Sequence, residues 1–172
     1  MFAKHRFMQW AAVAICLSWG VLASGQSTRG KAETLAGGKK ISINYGRPAL
    51  EGRDLFSLAR PGTVWRLGQN EATEITTELA LMAGGTHLDE GKYSLWARKT
   101  AADSWTLAFH PRTGIWGLPE MRDGFVGEVP LKLESGAPKA EVLNITLKSS
   151  GKDVNIEIHW GTTKLLGTFQ TM

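Results

Sequence analysis

Residues 143–160, LNITLKSSGKDVNIEIHW, decide the fold class of this chain. Leu143, Ile145 and Leu147 alternate with polar residues, and the same period of two returns after Gly151, with apolar residues at the even positions of 154–160. Two alternating runs joined by a short turn that contains glycine are typical of a β-hairpin. The stretch therefore predicts two antiparallel strands that share one buried face.

The same alternation recurs along the chain, whereas no window has the apolar period of a sustained helix. Further strands are predicted over residues 41–45, 73–81, 93–98 and 105–110. A strand over 125–133 would have to lie at an edge because it contains Pro130, which lacks a backbone N–H. We therefore expect an all-β fold, a single-domain antiparallel β-sandwich or jelly roll over residues 41–172.

The first 40 residues differ from the rest. A basic start, Lys4 to Arg6, precedes an apolar run and the small residues Ser24 and Gly25, which is the layout of a secretory signal peptide over residues 1–25. The apolar run is shorter than the roughly 20 residues of a membrane span, although an uncleaved anchor is the alternative. Residues 26–38 are small, polar and glycine-rich, which suggests a flexible leader or a loose first strand, and we assign residues 26–40 as a flexible leader. We expect a secreted or periplasmic protein with no membrane span after signal removal.

Composition excludes several classes of chemistry. Cys16 is the single cysteine and lies in the predicted signal peptide, so the mature chain would have no disulfide, catalytic thiol or thiolate metal site. His110 and His159 both end predicted strands and could meet at a metal, but no metal-ligand spacing supports this, and we predict neither metal nor cofactor. The net charge of +4 is scattered rather than clustered, which argues against a nucleic-acid partner. The oligomeric state is left open.

The densest group of polar residues, here called the polar block, consists of segments 45–48, 51–53 and 65–73. Arginine offers a planar fork of donors that can bind a carboxylate or phosphate through two hydrogen bonds. The same arginines could instead tie loops together across one end of a sandwich, next to Glu51 or Glu71. The candidate ligand-binding residues are Arg47, Arg53, Trp65, Arg66, Asn70 and Glu71. No catalytic residue is assigned.

Four tryptophans of the predicted domain divide into two pairs. Trp105 and Trp160 fall on apolar strand faces and are expected to anchor the core. Trp96 falls on a polar face and Trp116 in a long loop, so these two could form a platform on which a sugar ring stacks. Partial burial of both under the loop is the alternative.

Several motifs together resemble a bacterial secreted family, the domain-of-unknown-function 2911 family. The resemblance covers residues 41–160 and is carried by Tyr45-Gly46-Arg47-Pro48, Gly52-Arg53, Val64-Trp65-Arg66, Gly68, Asn70-Glu71-Ala72-Thr73, and Gly91 with Tyr93-Ser94-Leu95. It implies a compact extracytoplasmic β-rich domain with no established activity. It also favours Arg47, Arg66, Asn70 and Glu71 as the site, if there is one.

Three functions are compatible with these patterns. The first is a non-enzymatic protein that binds a polar ligand, such as a saccharide or an envelope component, through the arginine-rich loops. The second is a hydrolase in which Glu71 acts as general base and Arg47 and Arg66 hold the substrate. The third is a structural or assembly protein of the cell envelope, in which the polar block serves only as a brace.

Overall fold

The protein is built almost entirely of antiparallel strands, in a computed structural model that describes residues 29–53, 55–116 and 123–172. The predicted signal peptide lies outside the described residues. The elements are β1 (Arg29–Ala36), β2 (Lys39–Gly46), α1 (Leu55–Leu58), β3 (Val64–Trp65), β4 (Thr73–Thr77), β5 (Leu81–Ala83), β6 (Thr86–Leu88), β7 (Gly91–Ala101), β8 (Ser104–His110), β9 (Gly127–Ser150) and β10 (Asp153–Thr171). Within these ranges no helix is long and apolar enough to cross a membrane.

The strands form one sheet path in the order β1-β2-β4-β7-β8-β9-β10-β5-β6, and β3 pairs with β7 beside it. β9 links the two halves of this path, because residues 127–131 pair with β8 and residues 132–150 pair with β10. The β9–β10 ladder contains the predicted hairpin, with Leu147 opposite Ile156 and Ile145 opposite Ile158. The predicted all-β, sandwich-like antiparallel fold is thus confirmed.

Pro130 lies at a position of β9 where a strand is paired on one side only, so its missing N–H costs little. It is opposite Thr106 of β8, and the pairing of β9 with β10 begins only at Lys132. At residue 130 β9 is therefore locally an edge, as the sequence predicted for this proline.

The flexible leader assigned to residues 26–40 is wrong from residue 29 onward, where the alternative of a first strand is correct. β1 occupies 29–36 and pairs along its whole length with β2. Gly37 and Gly38 connect the two strands and both have positive φ, 57° and 80°, as the favoured two-residue hairpin turns require. The strand was hard to recognise because its buried positions hold small residues, Ala32 and Ala36, while Leu35 is 64% exposed.

The core lies between the two halves of the sheet path. Alternate residues of β2, β4, β7, β8, β9 and β10 point into it, so the period of two in the sequence becomes a buried face. Its fully buried members include Ile41, Ile43, Ile75, Leu95, Leu107, Leu143, Val154, Ile158 and Leu165.

Two contacts join β2 and the segment after it to residues 142–145 of β9. They hold the two halves of the sheet path together. The segment after β2 makes an antiparallel bridge, Ala49 to Val142, in which the Leu143 N–H donates to the Pro48 carbonyl over 3.1 Å. Within the core, the hydroxyl of Tyr45 accepts a hydrogen bond from the Ile145 N–H at 3.0 Å. Tyr45 is only 2% exposed, so this polar contact is shielded from water.

Replacing Tyr45 by phenylalanine is expected to lower the free energy of unfolding by about 1–3 kcal/mol, because the buried Ile145 N–H loses its partner. Urea denaturation measures the change. Tyr93→Phe is the matched control, since that hydroxyl donates to the exposed Asp89 carbonyl at 2.9 Å, where water can substitute. Equal losses in the two variants would contradict the role given to Tyr45.

Candidate functional site

The polar block folds into two loops whose backbones touch. One loop follows β2 and the other connects β3 to β4. A Cβ atom on Gly46 would lie 2.2 Å from the Gln69 carbonyl oxygen, and a Cβ on Gly68 would lie 2.9 Å from the Gly46 carbonyl oxygen. Only glycine allows this approach, so these two glycines serve the crossing of the loops and not a ligand.

The loop between β3 and β4 has a strained and well-supported backbone. Leu67 and Asn70 have positive φ values of 54° and 64°, which non-glycine residues adopt at a cost. The buried Thr73 hydroxyl donates to the Leu67 carbonyl over 2.7 Å, and Leu67 is itself fully buried. Packing and this hydrogen bond therefore hold the loop in one shape.

The arginines of the polar block donate mainly to backbone carbonyls. Arg47 Nε donates to the Leu143 carbonyl over 3.3 Å, and one Arg66 nitrogen donates to the Asn70 carbonyl over 3.0 Å. Arg53 donates to the carbonyls of Ala49 and Leu50 and forms an ion pair with Glu51 at 3.0 Å. These contacts tie loop to strand and loop to itself.

The six candidate residues therefore do not form one constellation. Trp65 faces the core, 9% exposed, and stacks on Trp160 with ring centroids 5.9 Å apart. Arg53 lies over the ring of the same Trp160, 5.7 Å from its centroid. Asn70 and Glu71, by contrast, lie on the exposed outer surface of the sheet.

Glu71 belongs to an ordered group on this outer surface, which we call the Trp116 surface and define as Arg29, Asn44, Glu71 and Trp116. Arg29 forms an ion pair with Glu71 at 3.0 Å, and its Nε donates to the Asn44 side chain over 2.5 Å. Trp116 makes an antiparallel backbone bridge to Glu71 and is 73% exposed. An exposed indole is thus carried by the residue whose backbone pairs with Glu71, and the Glu71 carboxylate is itself joined to a cation that also contacts an amide.

Backbone and side-chain contacts fix the segment that carries Trp116. The Ala72 N–H donates to the Ile115 carbonyl over 2.8 Å, and the Gly114 N–H donates to the Glu74 carboxylate over 2.7 Å. Ile115 is buried. The exposure of Trp116 is therefore a property of an anchored segment.

The sequence missed Arg29 and Asn44 as members of this surface. Arg29 was assigned to the flexible leader, which concealed its place at the start of β1. Asn44 was recognised as a polar strand position, and its register opposite Glu74 could only be known once β2 was paired with β4.

Of the two interpretations of Trp96, burial under the loop is correct and a stacking platform shared with Trp116 is wrong. Trp96 is 1% exposed and belongs to a second small core beneath the loop, with Ala72, Ala108 and Ile115. Its indole N–H donates to the Ser94 hydroxyl over 2.9 Å. The polar neighbours of Trp96 in the sequence had suggested solvent, but the loop after β8 covers this face.

Glu74, Ser94 and His110 form a cross-strand row on the same face, because Ser94 is opposite both other residues in the register. Ser94 is fully buried. His110 Nδ1 accepts the Arg112 N–H at 3.0 Å, so in the neutral ring Nε2 carries the proton and is not free to take one from a hydroxyl. The row is therefore not arranged as a nucleophile and its base.

The surroundings of His110 disfavour its protonated form. It is half-buried and packs edge to face on Phe125, with ring centroids 5.7 Å apart. Burial lowers the pKa of His110, and the charge of Arg112 acts in the same direction, against the opposing effects of the Arg112 backbone contact and the Asp123 carboxylate. Within the described part of the chain, no group of three histidine, cysteine or acidic residues is placed to hold a metal.

A family model described as "Protein of unknown function (DUF2911)" matches residues 27–168. The match spans most of the chain, so the chain belongs to this family, and the resemblance drawn from its motifs is confirmed. No curated protein and no solved structure matches the chain. Arguments about function therefore depend on the site itself.

Gly46→Ala is expected to cost at least about 2 kcal/mol of unfolding free energy, within the usual range of about 1–3 kcal/mol for overpacking, because a backbone oxygen cannot move as a side chain can. Chemical denaturation tests this. Gly127→Ala is the control, because its added Cβ would meet the Ala83 Cβ at 3.2 Å. It should lose less unfolding free energy than Gly46→Ala. If Gly46→Ala were as stable as the wild type, the close approach of the two loop backbones would be contradicted.

The protein should lose stability as the pH falls below the ordinary pKa of histidine, about 6.5. The folded state holds the pKa of His110 below that value, so it binds this proton less readily than the unfolded chain does. When thermal unfolding is measured between pH 7.5 and 5, the melting temperature should fall less in His110→Gln than in the wild type. The control variant is His87→Gln, at an exposed histidine. Its melting temperature should fall with pH as much as that of the wild type.

Proposed function

We propose that this member of the DUF2911 family is a secreted or periplasmic protein that binds a saccharide, or a saccharide-bearing envelope component, at the Trp116 surface. The observation that carries the proposal is Trp116 itself: a ring 73% exposed on a segment anchored to Glu71. Exposing a large indole forgoes favourable burial. An exposed aromatic ring on a rigid support is therefore better suited to a ligand than to the fold.

The polar members of the surface supply what a sugar ring requires in addition to stacking. Hydroxyl groups both donate and accept hydrogen bonds. Arg29 offers donors, the Glu71 carboxylate offers acceptors, and the Asn44 amide offers both. A few polar groups beside an apolar wall give orientation and specificity.

The rigidity of the surface also favours binding. Trp116 is on a segment fixed by the Ala72 and Gly114 hydrogen bonds, and the Arg29–Glu71 ion pair is formed without a ligand. A pre-ordered surface loses little conformational entropy on association. The contacts of Arg66 and Asn70 contribute indirectly, by shaping the loop that leads to Glu71.

Two observations make binding a better proposal than hydrolysis. Glycosidase chemistry uses two carboxyl groups that face each other across the scissile bond, whereas the ion-pair partner of Glu71 is the guanidinium of Arg29. The side chain of Glu71 is also 59% exposed, which does not provide the desolvation that tunes a general acid or base.

The backbone contacts of Arg47 and Arg53 favour a bracing role for these two residues. This part of the third hypothesis is compatible with binding elsewhere, since a brace at the loop crossing stabilises the support of the Trp116 surface. Arg47→Ala should therefore lower stability more than affinity.

The test is a screen of peptidoglycan fragments and envelope oligosaccharides on a glycan array, followed by calorimetric titration of any saccharide that binds. Trp116→Ala should weaken binding at least about tenfold, equivalent to about 1.4 kcal/mol, and Glu71→Ala should also weaken it. Leu58→Ala, at an equally exposed apolar residue (74%), is the control and should bind normally. Unchanged affinity in both Trp116→Ala and Glu71→Ala would overturn the assignment.

A further inference from the structure

A cluster of four aromatic rings lies inside the fold next to α1, apart from the Trp116 surface. Phe56 of α1 meets Trp65 and Trp105 edge to face at centroid distances of 5.7 and 5.8 Å. Trp65 stacks in turn on Trp160. All four rings are buried, as the sequence predicted for Trp105 and Trp160.

A lysine is enclosed with this cluster. Lys99 of β7 is only 8% exposed, which is unusual for a residue whose charge normally reaches water. Its ammonium nitrogen donates to the Phe56 carbonyl over a long 3.4 Å and lies 5.6 Å from the centroid of the Trp105 ring. Among residues 29–53, 55–116 and 123–172, no carboxylate forms an ion pair with it.

The cluster also contains hydrogen-bond donors that lack acceptors. The indole nitrogens of Trp105 and Trp160 are buried, and neither has a hydrogen-bond partner within the described part of the protein. A buried donor without a partner is costly and calls for an explanation. Lys99 has three N–H groups, and within the described residues its one hydrogen-bond acceptor is the Phe56 carbonyl. Hydrogen-bond donors therefore outnumber acceptors around the cluster.

Two cavities adjoin these groups and share Phe56 and Thr163 in their walls. The larger, of about 380 Å³, is also lined by Lys99, Asp103 and Ser135. The smaller, of about 210 Å³, is also lined by residues that include Arg53, Lys139 and Trp160. A volume of about 300–1,000 Å³ is typical of small-molecule sites, and these cavities together lie within that range.

The charged side chains around the cavities differ in burial and in ion pairing. Arg53 and Lys139 each form an ion pair with an exposed carboxylate, Glu51 at 3.0 Å and Glu141 at 2.8 Å. Asp103 is exposed in the turn between β7 and β8. Lys99 is the buried cation of the group, and an anion in the larger cavity beside it would supply an opposite charge and further acceptors for its N–H groups.

We propose that the two cavities form a second binding site, for a small molecule that carries a carboxylate or phosphate group, with that group held by Lys99. Carboxylate and phosphate oxygens accept hydrogen bonds and carry negative charge, which matches the N–H groups of Lys99 and its positive charge, for which the described residues supply no carboxylate. Phe56 and Trp160 provide apolar walls for the remainder of the molecule. This site is independent of the proposed saccharide surface.

The test compares anions directly on the mature protein. Acetate, benzoate and inorganic phosphate are titrated calorimetrically and by thermal shift at constant ionic strength, with chloride as the reference salt. Saturable binding of at least one is expected. Preference for benzoate over acetate would identify a carboxylate attached to an apolar group, whereas preference for phosphate would identify a phosphoryl group.

Lys99→Met keeps the apolar stem and removes the charge, so it should weaken the preferred anion at least tenfold. Lys152→Met, at an exposed turn lysine, should bind like the wild type. If Lys99→Met does not fold, Ala102→Trp fills the wall of the larger cavity from an exposed position and should produce the same loss. Trp116→Ala should leave anion affinity unchanged, which separates this site from the saccharide surface.

Two results would overturn the proposal. One is the absence of saturable binding of any of the three anions by the wild type. The other is equal anion affinity in the wild type and the folded Lys99→Met variant, or in the wild type and Ala102→Trp if the lysine variant fails. In either case Lys99 would be a brace that holds α1 on the aromatic cluster through its carbonyl and ring contacts.

Discussion

The antiparallel ladder between β9 and β10 is the constraint on which the rest of the structure depends. Because β9 pairs with β8 at its beginning and with β10 afterwards, one strand joins both halves of the sheet path. The ladder has register shifts around Gly161, where a positive φ of 63° is easily adopted by glycine. The shifts interrupt regular pairing between the two parts of the ladder.

Both proposed sites depend on how this framework positions the loops. Residues 48–50 lie against β9, and from there the chain leads through Arg53 to α1 and the aromatic cluster. On the outer face, the segment after β8 is held to Ala72 and Glu74, which places Trp116 beside Glu71. The polar block is thus divided by the sheet: its first part supports the two cavities and its last part the exposed surface.

The regular strands and the fold class could be predicted from the sequence because a period of two records which face of a strand is buried. β1 could not, because its inward positions hold alanines, whose small size gives little contrast with the polar positions between them. For Trp96 the sequence left burial and exposure both open for a related reason: local polarity does not report that a distant loop covers a face. The polar block was recognised, yet the separation of Arg53 from Glu71 follows from strand pairing, which spacing along the chain does not specify. The enclosure of Lys99 was equally hidden, since a lysine between a buried strand position and a turn normally extends into water.

The contact between Tyr45 and Ile145 joins residues that are 100 positions apart. Closing so long a loop costs entropy before any packing is gained, and folds dominated by such distant contacts form slowly. The first hairpin therefore cannot be completed as part of the native core until the last third of the polypeptide is present. A chain of which only the first hundred residues are available lacks both strands of the β9–β10 ladder, so it cannot form this core.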